Sequence, residues 1–373
     1  MTSAPGRPGR PTGAGARVVL VTGVSRYLGA RVATALQAEP DVERVVGVDT
    51  VAPRSDLGRA EFVRVDLRNP LIAKVVAEAG VDTVVHLNLV TSPTDAGGRS
   101  AMKEINVIGT MQLLAACQKA PGVRRLVVRS TTAVYGSSPR APAVFGEEVG
   151  AQAVPRRGYA RDAADVEGYV RGFGRRRPDV ALTVLRLTNL VGPRIDSLMT
   201  RYLSLPVVPT ALGYDPRLQL LHEDDAVEVL REAALADRPG TFNVGGEGVV
   251  LLSQATRRAG RLGVSVSTRS LGLGASVVRR TTGVDVSPEQ LDFLLHGRVV
   301  DTARLRAQFE RPPRRTTVQA LDDFVRGRGL RGPVAPVVRA AEHAVADLLD
   351  PPSPRAASVH DAPSSDLAGS ARA

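Results

Sequence analysis

The stretch RVVLVTGVSRYLG, from Arg17 to Gly29, decides the fold of this chain. Its apolar run at 18–21 predicts a buried parallel strand. After a short glycine-containing loop, the apolar residues take the helical spacing of Leu28, Val32 and Leu36. A strand, a glycine loop and a helix in this order present backbone N–H groups and the positive end of a helix dipole, which suit a diphosphate. Strand-to-helix turns without a ligand also carry glycines, so this loop alone leaves a dinucleotide site and a plain turn open.

A second predicted strand favours the dinucleotide site. The run at 45–48 ends at Asp49, which lies 20 residues past Gly29. In dinucleotide-binding folds an acidic residue at about this distance binds ribose hydroxyls. We therefore predict that Asp49 holds the adenosine ribose.

Length and composition predict a globular protein. With 373 residues, 43% of them hydrophobic, the chain can bury a large core as one large domain or two intimate ones. The single cysteine, Cys117, lies in a helical apolar pattern, so we interpret it as a core residue and expect a reducing compartment. No apolar run approaches the roughly 18 residues of a membrane helix, and the N-terminus lacks an apolar signal core. These features predict a cytoplasmic protein with no membrane partner.

The charge of the chain raises the question of nucleic-acid binding. The formal net charge is +11, yet the basic residues are scattered and aromatic residues make up only 3%. Nucleic-acid interfaces use clustered charge and aromatic stacking surfaces. Lysine occurs only at Lys74, Lys103 and Lys119, so arginine is the general basic residue of this chain. We predict no nucleic-acid partner and an ordinary solvated surface that attracts anions.

Strands and helices alternate through the middle of the chain. Further strands are predicted at 45–48, 62–65, 83–86, 126–128 and 182–187, with helical patterns between most of them. Such alternation predicts an α/β fold of the Rossmann type, with a doubly wound parallel sheet and right-handed crossovers. Beyond residue 195 only short segments are predicted, at 218–221, 241–244 and 299–300.

These patterns predict four regions. The first two are a disordered leader at 1–16, rich in proline and glycine, and a dinucleotide-binding Rossmann domain at 17–200. A smaller substrate-binding region at 201–349 is expected to pack on the sheet edge. The composition of residues 350–373 predicts a disordered tail.

A series of short motifs occurs in the order typical of one known superfamily. The motifs are VTGVSRYLG at the first turn, GVD ending at Asp49, VDL with Asp66, VVHLNLV with His86, INVIGT with Asn106, STTAVYG through Tyr135, Tyr159 followed by Glu167, LRLTNLVGP with Asn189, and LLHEDDA with Asp225. Over residues 17–330 the chain therefore resembles the extended short-chain dehydrogenase/reductase superfamily. Within it, the chain resembles the NAD-dependent epimerase/dehydratase family, which includes UDP-sugar 4-epimerases, and an actinobacterial branch of that family.

The resemblance implies roles for individual residues. Thr131 and Tyr159 take the places of the catalytic serine or threonine and the catalytic tyrosine, while Thr131 and Asn189 would contact a nucleotide sugar. The implied cofactor is NAD, with its adenosine ribose at Asp49. The other implied cofactor contacts are Gly23, Arg26, Tyr27, Leu28, Gly29, Asp66, Leu67, His86, Asn106 and Tyr159. In relatives the helices that carry INVIGT and the Tyr159 segment often pair, which implies a homodimer.

Ordinary structural roles compete with several of these assignments. Asp66 and Asp225 also suit a strand end or a helix cap, and Thr131 also suits a hydrogen bond to nearby backbone. The five histidines lie far apart, without the short spacings of zinc motifs, so no metal site is predicted. Taken by itself, each histidine is interpreted as structural or solvated.

The family's Tyr-x-x-x-Lys pattern is incomplete in this chain. Residues four apart share a helix face, so the family's lysine lowers the pKa of the neighbouring tyrosine and holds the nicotinamide ribose. In Tyr159-Ala-Arg-Asp-Ala163 an alanine stands at that position. A tyrosine with a pKa of about 10 is about one part in a thousand ionised at pH 7, a handicap of roughly 4 kcal/mol. Arg161 is expected to point off that face, whereas Arg156 or Arg157 could fold back.

Two further departures concern the cofactor and the substrate. Arg26 stands at the second glycine of TGxxGxxG, where the backbone normally approaches the diphosphate closely. In related loops such an arginine favours NADP, but the carboxylate of Asp49 repels a 2′-phosphate, so we favour NAD. Leu218 replaces the arginine that many relatives use for the sugar diphosphate, and Arg217 is expected to face the other side of the strand.

Two functions remain open at this point. The first is an NAD-dependent epimerase or dehydratase that acts on a nucleotide sugar, as UDP-glucose 4-epimerase does, through transient oxidation by bound NAD. The second is a catalytically degenerate NAD(H)-binding family member with a sensing or scaffolding role, which the alanine at Ala163 favours. Turnover of a nucleotide sugar distinguishes the two.

Overall fold

The structure is a computed structural model that describes residues 17–149, 158–267 and 288–330. The predicted leader at 1–16, the predicted tail at 350–373 and the arginine pair at 156–157 lie outside the described residues. The strands are β1 Arg17–Thr22, β2 Val42–Asp49, β3 Glu61–Arg64, β4 Thr83–His86, β5 Arg125–Thr131, β6 Ala181–Leu187, β7 Asn189–Val191, β8 Val207–Ala211, β9 Arg217–Leu218, β10 Leu220–His222, β11 Gly240–Val244, β12 Val250–Leu251 and β13 Leu262–Val266.

Helices alternate with most of the longer strands. They are α1 Tyr27–Leu36, α2 Ile72–Glu78, α3 Arg99–Lys103, α4 Gly109–Lys119, α5 Gly158–Arg176, α6 Leu198–Leu203, α7 Glu223–Leu235, α8 Leu252–Arg258, α9 Pro288–His296, α10 Ala303–Gln308 and α11 Thr317–Gly327. A π-helical turn, Glu104–Ile108, joins α3 to α4, and a 3₁₀ turn, Thr132–Tyr135, follows β5. None of the described helices is long and apolar enough to cross a bilayer.

A seven-stranded parallel sheet lies at the centre, with the order β11-β6-β5-β4-β1-β2-β3. The chain builds outward from β1 to β3 on one side, then returns to β4 beside β1 and builds the other side. The strand order therefore reverses between β1 and β4. In open parallel sheets, ligands bind outside the carboxyl ends of the strands at such a reversal. The Rossmann-type prediction is confirmed.

Helices cover both faces of this sheet. Successive side chains of each strand point to opposite faces, so neighbouring residues pack against different helix layers. Val19 and Val21 of β1 face the layer formed by α1 and α7, while Leu20 faces the layer of α2, α4 and α5. The predicted helical residues Leu28, Val32 and Leu36 of α1 belong to the first layer. Cys117 is fully buried in the second, as predicted for a core residue.

The smaller region has its own core beside the main sheet. Three two-stranded sheets, β7 with β10, β9 with β12 and β8 with β13, pack with α6, α8, α9 and α11 around residues such as Leu203, Leu252 and Phe324. The main sheet nevertheless extends past the predicted boundary at residue 200, because α7 covers it and β11 forms its edge strand. Residues 17–200 therefore do not contain the whole Rossmann layer.

Two short predicted segments differ from the structure. The segment at 218–221 is divided into β9 and β10, and Gln219 lies between the two strands. Its side chain donates to Gly246 O and accepts from the Val300 N–H. The segment at 299–300 contributes only an isolated bridge between Val300 and Phe145. Leu218 is fully buried whereas Arg217 is exposed, so the prediction that Arg217 faces the other side is confirmed.

Candidate functional site

The glycine loop follows β1 beside the point where the strand order reverses. Gly23 has a φ of +79°, and a Cβ on Gly29 would lie 2.2 Å from the Gly23 carbonyl oxygen. Both positions therefore require glycine. Arg26 is the N-cap residue of α1, and its side chain makes no capping hydrogen bond. The first-turn N–H groups of α1 are thus without a side-chain cap and suit an anion.

A cavity of about 550 Å³ opens at this loop, at the carboxyl ends of the central strands. This volume lies within the range of about 300–1,000 Å³ that is typical of ligand sites. The lining comes from the loop at 25–28, from residues after β2 such as Arg54, from Leu89 after β4, from Arg129 of β5 and from the segment at 194–198. Of the predicted cofactor residues, it brings together Arg26, Tyr27 and Leu28.

The lining of the cavity is rich in arginine. Arg194 and Arg201 form ion pairs with acidic side chains, with Nε of Arg194 3.1 Å from Oε1 of Glu223. Among the described residues, no carboxylate forms an ion pair with Arg26, Arg54 or Arg129. Burial and the neighbouring Arg26 guanidinium lower the pKa of Arg129 to about 10. An anion between these guanidiniums would relieve their mutual repulsion.

Asp49 is buried at the end of β2 and anchors the glycine loop. Its Oδ2 accepts hydrogen bonds from the Ser25 N–H, at 3.0 Å, and from the Ser25 hydroxyl, at 2.6 Å. Its Oδ1 accepts from the Thr50 N–H at 2.8 Å. The carboxylate thus lies beside the loop, at the strand end that the sequence pattern indicates, with Ser25 as its principal partner.

Asp66 and Leu67 follow β3 and face different surroundings. Asp66 forms an ion pair with Arg68, whose hydrogen bonds hold the carboxyl pKa of Asp66 below its ordinary value. Arg68 also pairs with Glu104, so Asp66 belongs to a surface network. Leu67 is buried, and its Cβ lies close to the backbone of Gly109 at the start of α4. Of these two side chains, that of Asp66 has the accessible polar group for an adenine edge.

His86 and Asn106 are buried, and their side chains form hydrogen bonds to other parts of the chain. The ring of His86 lies with Nδ1 2.8 Å from Oγ1 of Thr22 and Nε2 2.9 Å from Oγ1 of Thr110. Burial lowers the pKa of His86 to about 4, so the ring is neutral. The Asn106 amide accepts from the Val90 N–H and donates to the Val90 carbonyl. Both side chains use their polar atoms within the chain, as the structural interpretation of His86 predicts.

The two predicted catalytic residues lie on neighbouring elements. Thr131 ends β5, and its Oγ1 accepts from the Ala133 N–H at 3.2 Å, which agrees with the backbone-bonding alternative. Tyr159 lies in the first turn of the described α5. Arg99 fixes this turn by donating to the Gly158 carbonyl and to both carboxylate oxygens of the fully buried Asp162.

The position of the family's lysine is apolar in this chain. Ala163 is only 1% exposed and belongs to a buried cluster with Leu89, Val134 and Tyr135. Arg161 forms an ion pair with Asp165 four residues on, 3.0 Å from Nε to Oδ1. The prediction that Arg161 points off the Tyr159 face agrees with this pair.

A buried polar network lies beneath the predicted catalytic residues. Arg186 of β6 binds both carboxylate oxygens of Glu167, which also accepts from the Ser130 hydroxyl. Arg186 donates in addition to the hydroxyl of Tyr135, and that hydroxyl donates to Asn243 Oδ1. The network joins β5, α5, β6 and β11 through hydrogen-bonded charges.

The predicted substrate residue Asn189 begins β7 and pairs in register with Leu220 of β10. It therefore lies where the main sheet passes into the smaller region. Asp225 lies in the first turn of α7, where His222 is the N-cap residue, and it accepts from the backbone and guanidinium of Arg315. This contact is structural, but it differs from the predicted alternative of a strand end or a helix cap. In the described part of the chain, no group of histidine, cysteine or acidic side chains could hold a metal ion.

Sequence reasoning missed two residues of the cavity region. Glu223 is fully buried, accepts from the Tyr27 hydroxyl and the Ile195 N–H, and together with burial raises the pKa of Tyr27 to about 12. Arg129 was missed although the sequence carries a signal for it: a charged residue directly follows the apolar run at 126–128, two residues before Thr131. Glu223 gave no such signal, since acidic residues are common at helix N-termini.

Comparison with known proteins identifies the class of this fold and site. The profile of the NAD dependent epimerase/dehydratase family matches residues 19–245, more than half of the chain. The chain belongs to this family. Its membership confirms the predicted superfamily, and NAD is the cofactor in the family's name.

The individual relatives differ in how much of the chain they cover. An uncharacterized protein of Mycobacterium tuberculosis (strain ATCC 25618 / H37Rv) is 50% identical over 318 residues, 84% of this chain and 85% of that protein. UDP-glucose 4-epimerase 2 of Oryza sativa subsp. japonica is 32% identical over 197 residues, 48% of this chain and 46% of that protein.

Solved structures share the fold over most of the chain. UDP-glucose-4-epimerase from Stenotrophomonas maltophila, with bound NAD and formylated UDP-arabinopyranose, superimposes with a TM-score of 0.64 at 21% identity, over 87% of this chain and 99% of that one. UDP-glucuronic acid 4-epimerase from Bacillus cereus gives a TM-score of 0.65 at 17% identity, over 84% and 99%. At such identities the likeness shows the fold alone.

Proposed function

We propose that this protein binds NAD and uses it to oxidise a nucleotide sugar transiently, as an epimerase or dehydratase. The observation that carries the proposal is the arginine-rich cavity at the reversal of the strand order, next to the strand that ends in Thr131. The relatives of known activity support it, since the rice protein is named a UDP-glucose 4-epimerase.

The residues at the glycine loop fit NAD. Gly23 and Gly29 shape a loop that a side chain would obstruct, and the uncapped first turn of α1 suits a diphosphate. Arg26 adds a guanidinium at the position where relatives have glycine, and it lines the cavity. Asp49, beside the loop, is placed to exchange its Ser25 hydrogen bonds for those of ribose hydroxyls.

The chain's own part in the reaction is to move a proton and to orient the sugar. When bound, NAD supplies the hydride acceptor and donor. The phenolate of Tyr159 would take the proton of the sugar hydroxyl that is oxidised, and Thr131 would donate a hydrogen bond to the same oxygen. Asn189, at the junction with the smaller region, would contact the nucleotide sugar.

Replacing Tyr159 with phenylalanine tests the proposal. Calorimetric titration with NAD, NADH and NADP at fixed salt comes first, followed by turnover assays on UDP- and dTDP-sugars. We expect Tyr159→Phe to lose at most about 1 kcal/mol of NAD binding, the usual worth of one hydrogen bond, and to lose turnover by a factor of about 10²–10⁴, the usual contribution of a general base. The control is Tyr214→Phe, at an exposed tyrosine of the smaller region, which should keep full turnover. Unchanged turnover in Tyr159→Phe contradicts the proposal.

A second function is favoured by one specific observation. Ala163 leaves the tyrosine without the family's lysine, within an apolar cluster. A protein that binds NAD(H) tightly but turns over none of the nucleotide sugars would match a degenerate family member with a sensing or scaffolding role. One confirmed substrate excludes this alternative.

A further inference from the structure

We propose that Arg129 replaces the missing lysine, as the cation that stabilises the Tyr159 phenolate. This inference rests on the proposed function, and it assigns to β5 a task that the family assigns to α5. Arg129 is a positioning residue in this scheme, because it acts through Tyr159.

The placement of Arg129 supports this assignment. It lies two residues before Thr131 on β5, so the two side chains emerge on the same face of the strand. Its Nη1 donates to the carbonyl oxygen of Leu89 at 3.1 Å. Leu89 belongs to the same buried cluster as Ala163, so the guanidinium reaches, from a different element, the cluster in which the lysine is absent.

The hydrogen bonding of Arg129 leaves part of its guanidinium available. Its Nε is buried and has no hydrogen-bond partner among the described residues, although the side chain lines the cavity. Buried donors are normally paired, so such a group indicates an acceptor that arrives with a ligand or with ionisation of a neighbour. A ligand in the cavity would supply such an acceptor, and so would an ionised Tyr159 beside it.

The charges of Arg129 and Tyr159 are coupled. A negative charge on Tyr159 raises the pKa of Arg129, against the lowering by burial and by Arg26. Coulombic coupling acts equally in both directions, so the guanidinium favours ionisation of the phenol. In a partly buried site this attraction is stronger than in water.

Among the described residues, the other charged groups in this region have ion-pair or hydrogen-bond partners, with Arg26 as the exception. Arg298 also interacts with a charge on Tyr159, but its Nε donates to the Gly136 carbonyl and its Nη2 to the Ser137 hydroxyl. Arg161 is paired with Asp165. Asp162 is bound by Arg99, and Glu167 by Arg186. Arg26 adds a second positive charge on the loop side.

An ultraviolet titration of tyrosine ionisation tests the proposal without turnover. The chain has six tyrosines, and subtracting the titration of Tyr159→Phe isolates the signal of Tyr159. We expect Tyr159 to ionise below the ordinary pH of about 10 in the wild type. Arg129→Gln should move this ionisation upward by about one pH unit or more, which corresponds to about 1.4 kcal/mol per unit.

Three further variants make the result decisive. Arg129→Lys keeps the charge and should keep the low ionisation pH, whereas a merely structural role would not be rescued by charge alone. Ala163→Lys, added to Arg129→Gln, should restore it from the helix. Arg161→Gln is the matched control, since Arg161 is nearby but paired with Asp165, and it should change the ionisation pH by only a few tenths.

Each outcome bears on the inference separately from the proposed function. Equal Tyr159 ionisation in the wild type and in Arg129→Gln overturns the inference, whether or not the protein is an enzyme. If Arg129→Gln does not fold, an ordinary ionisation pH near 10 in the folded Arg129→Lys protein overturns it equally. A shift in Arg129→Gln without turnover of any nucleotide sugar supports the inference and contradicts the proposed function.

Discussion

His86 belongs to a family motif, and in this structure its side chain holds neighbouring elements of the site together. It ends β4 beside the strand reversal, yet both ring nitrogens contact threonine hydroxyls and the ring is 4% exposed. A neutral ring is required because a charge would be buried without a partner. His86 thereby links Thr22 of the glycine-loop strand to Thr110 of α4.

The buried His86 ring makes stability depend on pH. Because its folded pKa is lowered to about 4 from 6.5, the unfolded chain binds more protons between these values, and stability falls as the pH decreases through this window. We expect a loss of about 2–3 kcal/mol by pH 4.5 from this group. Urea unfolding of the wild type and of His86→Asn at pH 7 and pH 4.5 measures it. The wild type should lose more stability than the variant, and equal losses would contradict the prediction.

Single residues were predictable from the sequence where backbone geometry decides their identity. Gly23 and Gly29 were predicted in the loop because a strand must turn into a helix there. The positive φ of Gly23 and the close approach of Gly29 to the Gly23 carbonyl agree with this prediction. The partner of Asp49, Ser25, could not be predicted, since a side-chain hydrogen bond depends on loop conformation. The role proposed for Arg129 could not be predicted, because it depends on where β5 lies relative to α5.

At the scale of elements, α5 and β6 are joined by a buried ion pair. Glu167 and Arg186 form two short hydrogen bonds, at 2.6 and 2.9 Å, and Glu167 holds the Arg186 pKa above its ordinary value. Such a pair contributes little over an apolar pair, but removing one partner leaves the other charge buried and unpaired. The pair therefore fixes how α5, with Tyr159, packs on the sheet.

Breaking this pair should destabilise the fold strongly. Glu167→Gln keeps the side-chain shape and leaves Arg186 charged, so we expect a loss of about 3–5 kcal/mol in the free energy of unfolding. The measurement is urea unfolding at neutral pH. Arg171→Gln removes a neighbouring but exposed partner of Glu167 and should cost less than about 1 kcal/mol. Similar losses in both variants would rule out the buried pair as the main link.

Strands of the main sheet were predictable because they are buried on both sides and read as apolar runs. The predicted strand at 83–86 matches β4, and that at 182–187 falls within β6. The short strands of the smaller region were not predictable as pairs. Leu218 and Leu220 are both apolar, but Gln219 between them turns its side chain into the core and sends the two strands to different partners.

At the scale of the whole molecule, the implied homodimer remains a proposal. Ile108, Met111 and Tyr169 are large apolar residues with exposures of 42%, 40% and 42%. They lie on α4, the preceding π-helical turn and α5, the helices that the resemblance expects to pair. Apolar side chains at such positions suit a two-fold interface.

A charge on this surface should separate the subunits. Met111→Glu would bury a carboxylate without a partner in the interface, so we expect a dimeric wild type and a monomeric variant in analytical ultracentrifugation at micromolar concentration. Leu212→Glu, at an exposed apolar residue of the smaller region, is the control and should remain dimeric. A Met111→Glu protein that stays dimeric would place the interface elsewhere.

The fold class could be predicted from the sequence, but the boundary between the main sheet and the smaller region could not. Alternating strand and helix patterns predicted the doubly wound sheet, because a helix between two strands carries the chain back to begin the next strand parallel to the first. The sequence pattern could not show that α7 and β11 rejoin the main sheet after residue 200, since the irregular segment before them hides the long-range return. That return divides the smaller region into two parts in the order of the chain, one before α7 and one after β11.

The cavity arginines that form no ion pair with a described carboxylate also influence how a ligand arrives. Arg26, Arg54 and Arg129 lie in a concave surface, which concentrates their field and draws anions toward the opening before any contact is made. For the proposed ligands, a dinucleotide and a nucleotide sugar, capture would then be faster than shape alone would allow. Because salt screens charges over about 8 Å at physiological ionic strength, this gain in association rate shrinks as salt rises, while the rate of release changes less.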